Sequence, residues 1–141
     1  MQSNQKGYRG YVFSRSVDSH RVPQHIQNLV IREYAGRRKL QYLLSATEYA
    51  MPGCYLILEQ VLDELVTLEG VILYSMFMLP PQAEERERIY RRLLKAGCRM
   101  HAAVEGFVLG DEADIERWEN VLRTANICRD LEYQEIERWL T

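Results

Sequence analysis

Cysteine is scarce in this chain. Cys54, Cys98 and Cys128 are three in 141 residues, odd in number and too far apart for a disulfide framework or for the close pair that zinc sites use. Glycine and proline are few as well, eight and four, which excludes collagen-like and low-complexity chains. Neither sign of charge dominates, because 18 lysines and arginines against 20 aspartates and glutamates leave a net charge of −2. A basic stripe of the kind that grips nucleic acid is therefore not expected. The densest basic run, Arg37-Arg38-Lys39, reads as the last turn of a helix, where cations are favoured. No apolar run reaches bilayer length, and residues 1–6 lack the apolar stretch of a signal peptide. These absences point to an ordinary reduced, cytoplasmic protein with no membrane insertion and no nucleic-acid partner.

What remains is enough for one domain. A chain this long with 47% apolar residues buries roughly 70% of its unfolded surface. Four short apolar segments read as strands, over residues 10–13, 40–46, 70–78 and 100–104. The third is apolar almost throughout, as expected of a strand covered on both faces, and Pro80 and Pro81 stop it. Between the strands run helical patterns: Ile26, Leu29, Val30 and Tyr34 after Pro23; Leu56, Leu58, Val61, Leu62 and Leu65 after the turn at Pro52-Gly53; and Ile89, Leu93 and Leu94 before a C-terminal cap at Gly97. Asp111 caps a last pattern, Ile115, Trp118, Val121, Leu122 and Ala125, which either continues or breaks near Asn126 before Leu131, Ile136, Trp139 and Leu140. The alternation predicts a three-layer α/β fold: a mainly parallel four-stranded sheet with helices on both faces, as in flavodoxin-like folds. Residues 7–110 form its core, and 111–141 a C-terminal helical segment suited to an oligomer interface. A homo-oligomer is expected.

In such sheets ligands bind beyond the C-terminal strand ends, where the strand order reverses. That rule selects Ser14, Arg15 and Ser16 after the first strand, Ser45, Thr47 and Glu48 after the second, Tyr74 and Ser75 in the third and Glu105 after the fourth. Arg15 and Arg21, on a hydroxyl-rich loop leading into a helix, suit a phosphate or carboxylate, although pairing with Asp18 or Glu48 would account for them equally. Neither GxGxxG nor GxxxxGK[ST] occurs. Glu48 and Glu105 are candidates for an acid and base pair across the crevice, and His25 for a base near neutral pH. Gln24, Ser45, Tyr49 and Ser75 complete the substrate-binding set with Ser14, Arg15 and Arg21. Cys54 after Gly53 stands at a helix start, where a thiol can be activated. No metal site and no cofactor are expected, since His20, His25 and His101 lack a metal-ligand spacing.

Residues 10–16, 21–29 and 41–52 (GYVFSRS, RVPQHIQNL and QYLLSATEYAMP) resemble the bacterial sporadic carbohydrate cluster proteins, and the likeness extends through Ala103-Val104-Glu105-Gly106. That resemblance implies a setting in surface-carbohydrate biosynthesis. Two readings follow from it. One is a cofactor-independent isomerase, epimerase or hydrolase acting by acid and base chemistry on a sugar, sugar phosphate or nucleotide sugar; the other is a non-catalytic partner in the same pathway. At the level of fold, the chain is also similar to the catalytic domain of serine recombinases, with its GY-type first strand, Arg/Ser loop and helix, which implies the strand order 2-1-3-4. The end of the third strand, Tyr74-Ser75-Met76-Phe77-Met78-Leu79, lacks the arginines with which that family holds the scissile phosphate.

Overall fold

The computed structural model describes residues 6–140, and the chain divides into two compact units, Met1–Gly110 and Asp111–Thr141. The first unit is built on a five-stranded sheet: β1 (Tyr8–Val12), β2 (Tyr42–Thr47), β3 (Gly70–Leu73), β4 (Arg99–Ala102) and β5 (Phe107–Leu109), in the order β2-β1-β3-β4-β5. The first four run parallel and β5 pairs antiparallel with β4. Four strands were expected, and β5 is the addition. It was missed because Phe107-Val108-Leu109 is too short to show a period. It follows β4 through a tight turn that uses Gly106 at φ 71°.

Helices α1 (Gln24–Arg37), α2 (Leu56–Asp63) and α3 (Ala83–Lys95) connect the parallel strands. The chain moves one way along the sheet from β1 to β2 and the opposite way from β2 to β3 and β4. Right-handed crossovers then send α1 to one face and α2 and α3 to the other. On the α1 face Tyr8, Val12 and Ile72 pack with Ile31, Tyr34 and Ala35. Across the other face, Arg92 of α3 bridges Glu59 and Asp63 of α2 at 2.9 and 2.6 Å.

Two sequence expectations change at β3 and α2. The strand is four residues long rather than nine, because Ser75 turns the chain: its hydroxyl accepts from the Phe77 amide at 3.2 Å and opens a 3-10 turn over Met76–Met78. Those methionines are buried as a turn and not as strand. Leu56, assigned to the inner side of α2, is instead 58% exposed.

A bulge in β2 positions Ser45. Arg9 pairs with Leu43 and Tyr11 with Ala46, so Gly10 alone faces both Leu44 and Ser45. The extra residue brings Ser45 onto the same side as Tyr42, whose hydroxyl lies 2.6 Å from Ser45 Oγ. A Cβ on Gly10 would collide with that Oγ, so the bulge requires glycine on the facing strand.

The second unit is one helix, α4 (Glu112–Leu140), capped by the Asp111 carboxyl accepting from the Asp114 amide at 2.9 Å. It does not break at Asn126. Ile115, Trp118 and Leu122 are buried, whereas Leu131, Tyr133, Ile136, Trp139 and Leu140 are exposed.

Candidate functional site

The point where the strand order reverses lies between β1 and β3, and the cleft at that point has a volume of about 590 Å³. Three connections line it. Phe13, Ser14, Arg15, Ser16 and Arg21 come from the chain after β1, Ala50, Pro52, Gly53 and Tyr55 from that after β2, and Phe77, Leu79 and Pro81 from that after β3.

The chain after β1 is held firmly. Val17 and His20 form an antiparallel bridge, with backbone hydrogen bonds of 2.7 and 2.9 Å. The two residues between them, Asp18 and Ser19, have φ of 50° and 66°. Positive φ at both central positions is the tight hairpin turn whose twist matches its strands. Buried Val17 anchors this hairpin, leaving Ser16 and Arg21 exposed on its two arms. Behind it, the fully buried Gln27 of α1 clamps the strand end. Its Oε1 accepts from the Phe13 amide at 3.0 Å, and its Nε2 donates to the carbonyls of Phe13 and Val22, each at 2.8 Å.

Arg15 fastens the second connection to the first. Its Nη1 donates to the carbonyls of Tyr49, Met51 and Cys54 at 3.1, 2.8 and 2.7 Å. Its guanidinium lies 4.2 Å from the centroid of the Phe13 ring and 5.1 Å from that of Tyr55. Cation and aromatic faces attract, so the side chain is pinned at the cleft wall. Arg21, also lining the cleft, is the more exposed of the two cations.

Glu48 lies beneath this wall, buried with 2% exposure. It accepts from the Tyr11 hydroxyl at 2.7 Å and from the amides of Tyr49, Ile57 and Leu58 at 3.0, 3.0 and 3.1 Å. The last two are open donors in the first turn of α2, so Glu48 serves as that helix's cap from outside it. Burial, then the hydrogen bond to Glu48, pushes the Tyr11 hydroxyl far above the ordinary tyrosine range, so it stays a donor. The Cys54 thiol lies 3.8 Å from Glu48 Oε2.

The other selected residues lie in separate places. Glu105 accepts from Ser75 Oγ at 2.7 Å and from the Met76 amide at 2.9 Å, bracing the turn after β3. Its oxygens and those of Glu48 thus serve different turns. Ser45 faces Tyr42 from within β2, Tyr49 meets Arg15 through its carbonyl, and Gln24 and His25 are exposed in the first turn of α1. Of the residues selected from the sequence, Ser14, Arg15, Ser16 and Arg21 line the cleft. Gln27 and the Asp18-Ser19 turn were not singled out. The signal for Gln27 was a polar residue four before Ile31 on the inner stripe of α1.

Proteins of known structure share this architecture. A resolvase family site-specific recombinase from Streptococcus pneumoniae matches 95% of this chain and 99% of its own, with a TM-score of 0.59 and 10% identity. The N-terminal catalytic domain of TP901-1 integrase matches 89% and 99%, with a TM-score of 0.57 and 15% identity. No family model and no curated protein matches the chain. The fold is thus that of resolvase-type catalytic domains, while the likeness to sporadic carbohydrate cluster proteins gains no support. The expectation of a surface-carbohydrate protein, binding a sugar phosphate or nucleotide sugar and no nucleic acid, is corrected, because the structural neighbours are recombinase domains. The acidic residues of α2 and α3 are largely taken up in ion pairs such as Glu59–Arg92 and Glu87–Arg91, while the cleft itself carries Arg15 and Arg21.

Proposed function

We propose that this chain is a resolvase-type domain that holds a backbone phosphate of a nucleic acid in the cleft after β1, and that it binds the strand without cutting it. The observation that carries this reading is the clamped hairpin, which presents Ser14, Ser16 and Arg21 along one cleft at the reversal point of the sheet. Guanidinium and hydroxyl donors on a rigid loop are what phosphate oxygens need.

Binding is favoured over cleavage by the occupancy of the neighbouring groups. Attack by a serine oxygen on a phosphodiester requires a base to take the proton and fixed cations for the developing charge. The nearest buried carboxyl, Glu48, has both oxygens occupied by protein donors. Arg15 spends Nη1 on three carbonyls. The turn after β3 contributes Phe77 and Leu79 to the cleft and no cation.

The test is fluorescence anisotropy with a labelled oligonucleotide across a range of salt. The wild type should bind with an affinity that falls as salt rises, and Arg21→Ala should weaken binding and reduce the log–log salt slope by about 1. Binding that Arg21→Ala leaves unchanged, or cleavage of the oligonucleotide, would contradict this reading.

A further inference from the structure

The phosphate cleft continues into a second groove of about 510 Å³, and Gly53, Tyr55 and Pro81 line both. This volume falls within the roughly 300–1,000 Å³ typical of small-ligand sites. One wall is Tyr55, Leu56 and Leu58, and the facing wall is Pro80, Pro81 and Ile89. The groove also holds a polar cluster. Glu59 accepts from Arg88, and Arg88 also donates to Glu85 at 3.2 Å. Hydrogen bonding from Arg88, foremost, holds the Glu59 carboxyl below its usual range, and its oxygens are shared between Arg88 and Arg92.

Cations and hydroxyls thus line the first cleft, and apolar side chains with an ion-paired Glu59–Arg88–Glu85 cluster line the groove that adjoins it. A nucleotide within a strand joins matching parts: an anionic phosphate and, beside it, a base with flat apolar faces. Resting on the phosphate reading above, we infer that the second groove takes an unstacked base, and that the occupant of cleft and groove is therefore a single-stranded nucleic acid. A base in a duplex is paired and stacked, and reaching the groove would require breaking both interactions. Leu56 is the element of the wall best suited to this role, being apolar and 58% exposed in the first turn of α2.

Anisotropy with four labelled 12-mers separates the claims: a single DNA strand, the same sequence as RNA, the same DNA in duplex form, and a single DNA strand with abasic sites. The single strand is expected to bind about tenfold tighter than the duplex and the abasic strand, as loss of base contacts of this kind generally gives. Leu56→Ser should bring the intact strand down to the abasic level, and its exposure allows the variant to fold, which circular dichroism would verify. The RNA probe decides which sugar the site prefers, and base dependence in either form supports the inference. If duplex and abasic probes bind as tightly as the intact strand, the base groove is wrong while phosphate binding stands. If no probe binds, the phosphate reading fails and this inference falls with it.

Discussion

Removing the Gln27 amide would strand three backbone groups at once: the amide and carbonyl of Phe13 and the carbonyl of Val22. Each unpaired buried group costs about 1–3 kcal/mol. Gln27→Leu, which fills the space without restoring the bonds, should therefore lower the unfolding free energy in urea by about 3 kcal/mol and loosen the chain that carries Ser14 to Arg21. His101 makes a second residue-scale prediction. It is buried in β4, with Nδ1 2.6 Å from the Tyr34 hydroxyl and its ring edge-on to Tyr8. Burial first, then Arg38 and Arg99, pulls its pKa down to about 4, against about 6.5 in the unfolded chain. Between those values the unfolded chain binds a proton that the folded one does not. Stability is therefore full above about pH 6.5 and falls as pH drops toward 4, by about 3 kcal/mol in all. Urea titrations at pH 7 and pH 4.5 should show that loss, and His101→Leu should flatten it. In sequence, Arg15 and Arg21 were legible as residues of a strand-end loop, and both line one cleft, but that Arg15 spends Nη1 on backbone carbonyls rather than on a carboxylate was not legible. Gln27 and His101 were not legible in these roles, because one sits on an apolar stripe and the other in a strand, and only tertiary neighbours reveal their partners.

At the scale of elements, the hairpin over residues 17–20 is the part most open to improvement. Ser19 takes φ 66°, a conformation that favours glycine and carries a steric cost for a side chain. Ser19→Gly should raise stability by about 0.5–1 kcal/mol in thermal unfolding, offset in part by the freer unfolded chain. It should also leave phosphate binding intact, since Ser16 and Arg21 lie outside the turn. Strand and helix alternation was readable from the apolar periods, as were the first three helices and the caps at Gly97 and Asp111. The ends of elements were not. Ser75 ended β3 early through a local hydroxyl bond, three-residue β5 gave no period, and α4 ran past Asn126 because one asparagine costs a helix only a fraction of a kcal/mol. The bulge at Leu44 was likewise invisible, since it arises from the pairing of Gly10 with two residues rather than from either segment alone.

For the molecule as a whole, the strand order places the reversal point between β1 and β3, where the cleft lies, and the fold is shared with the resolvase-type neighbours. Net charge sums surface ion pairs such as Glu59–Arg92 with the few cations that face the cleft, so it does not report the charge of the cleft. No helix among the described residues is long and apolar enough to cross a membrane, and the described residues hold no group of three or more His, Cys, Asp or Glu placed to bind a metal ion. In the function proposed above, a strand's phosphate sits on the hairpin after β1. Amide chemical shifts followed by nuclear magnetic resonance during titration with a single-stranded 12-mer test it most directly. Saturable shifts are expected at Ser14, Arg15, Ser16 and Arg21, spreading to Gly53 and Tyr55, with their loss in Arg21→Ala. Shifts confined to other surfaces, with these amides unmoved at saturation, would contradict it.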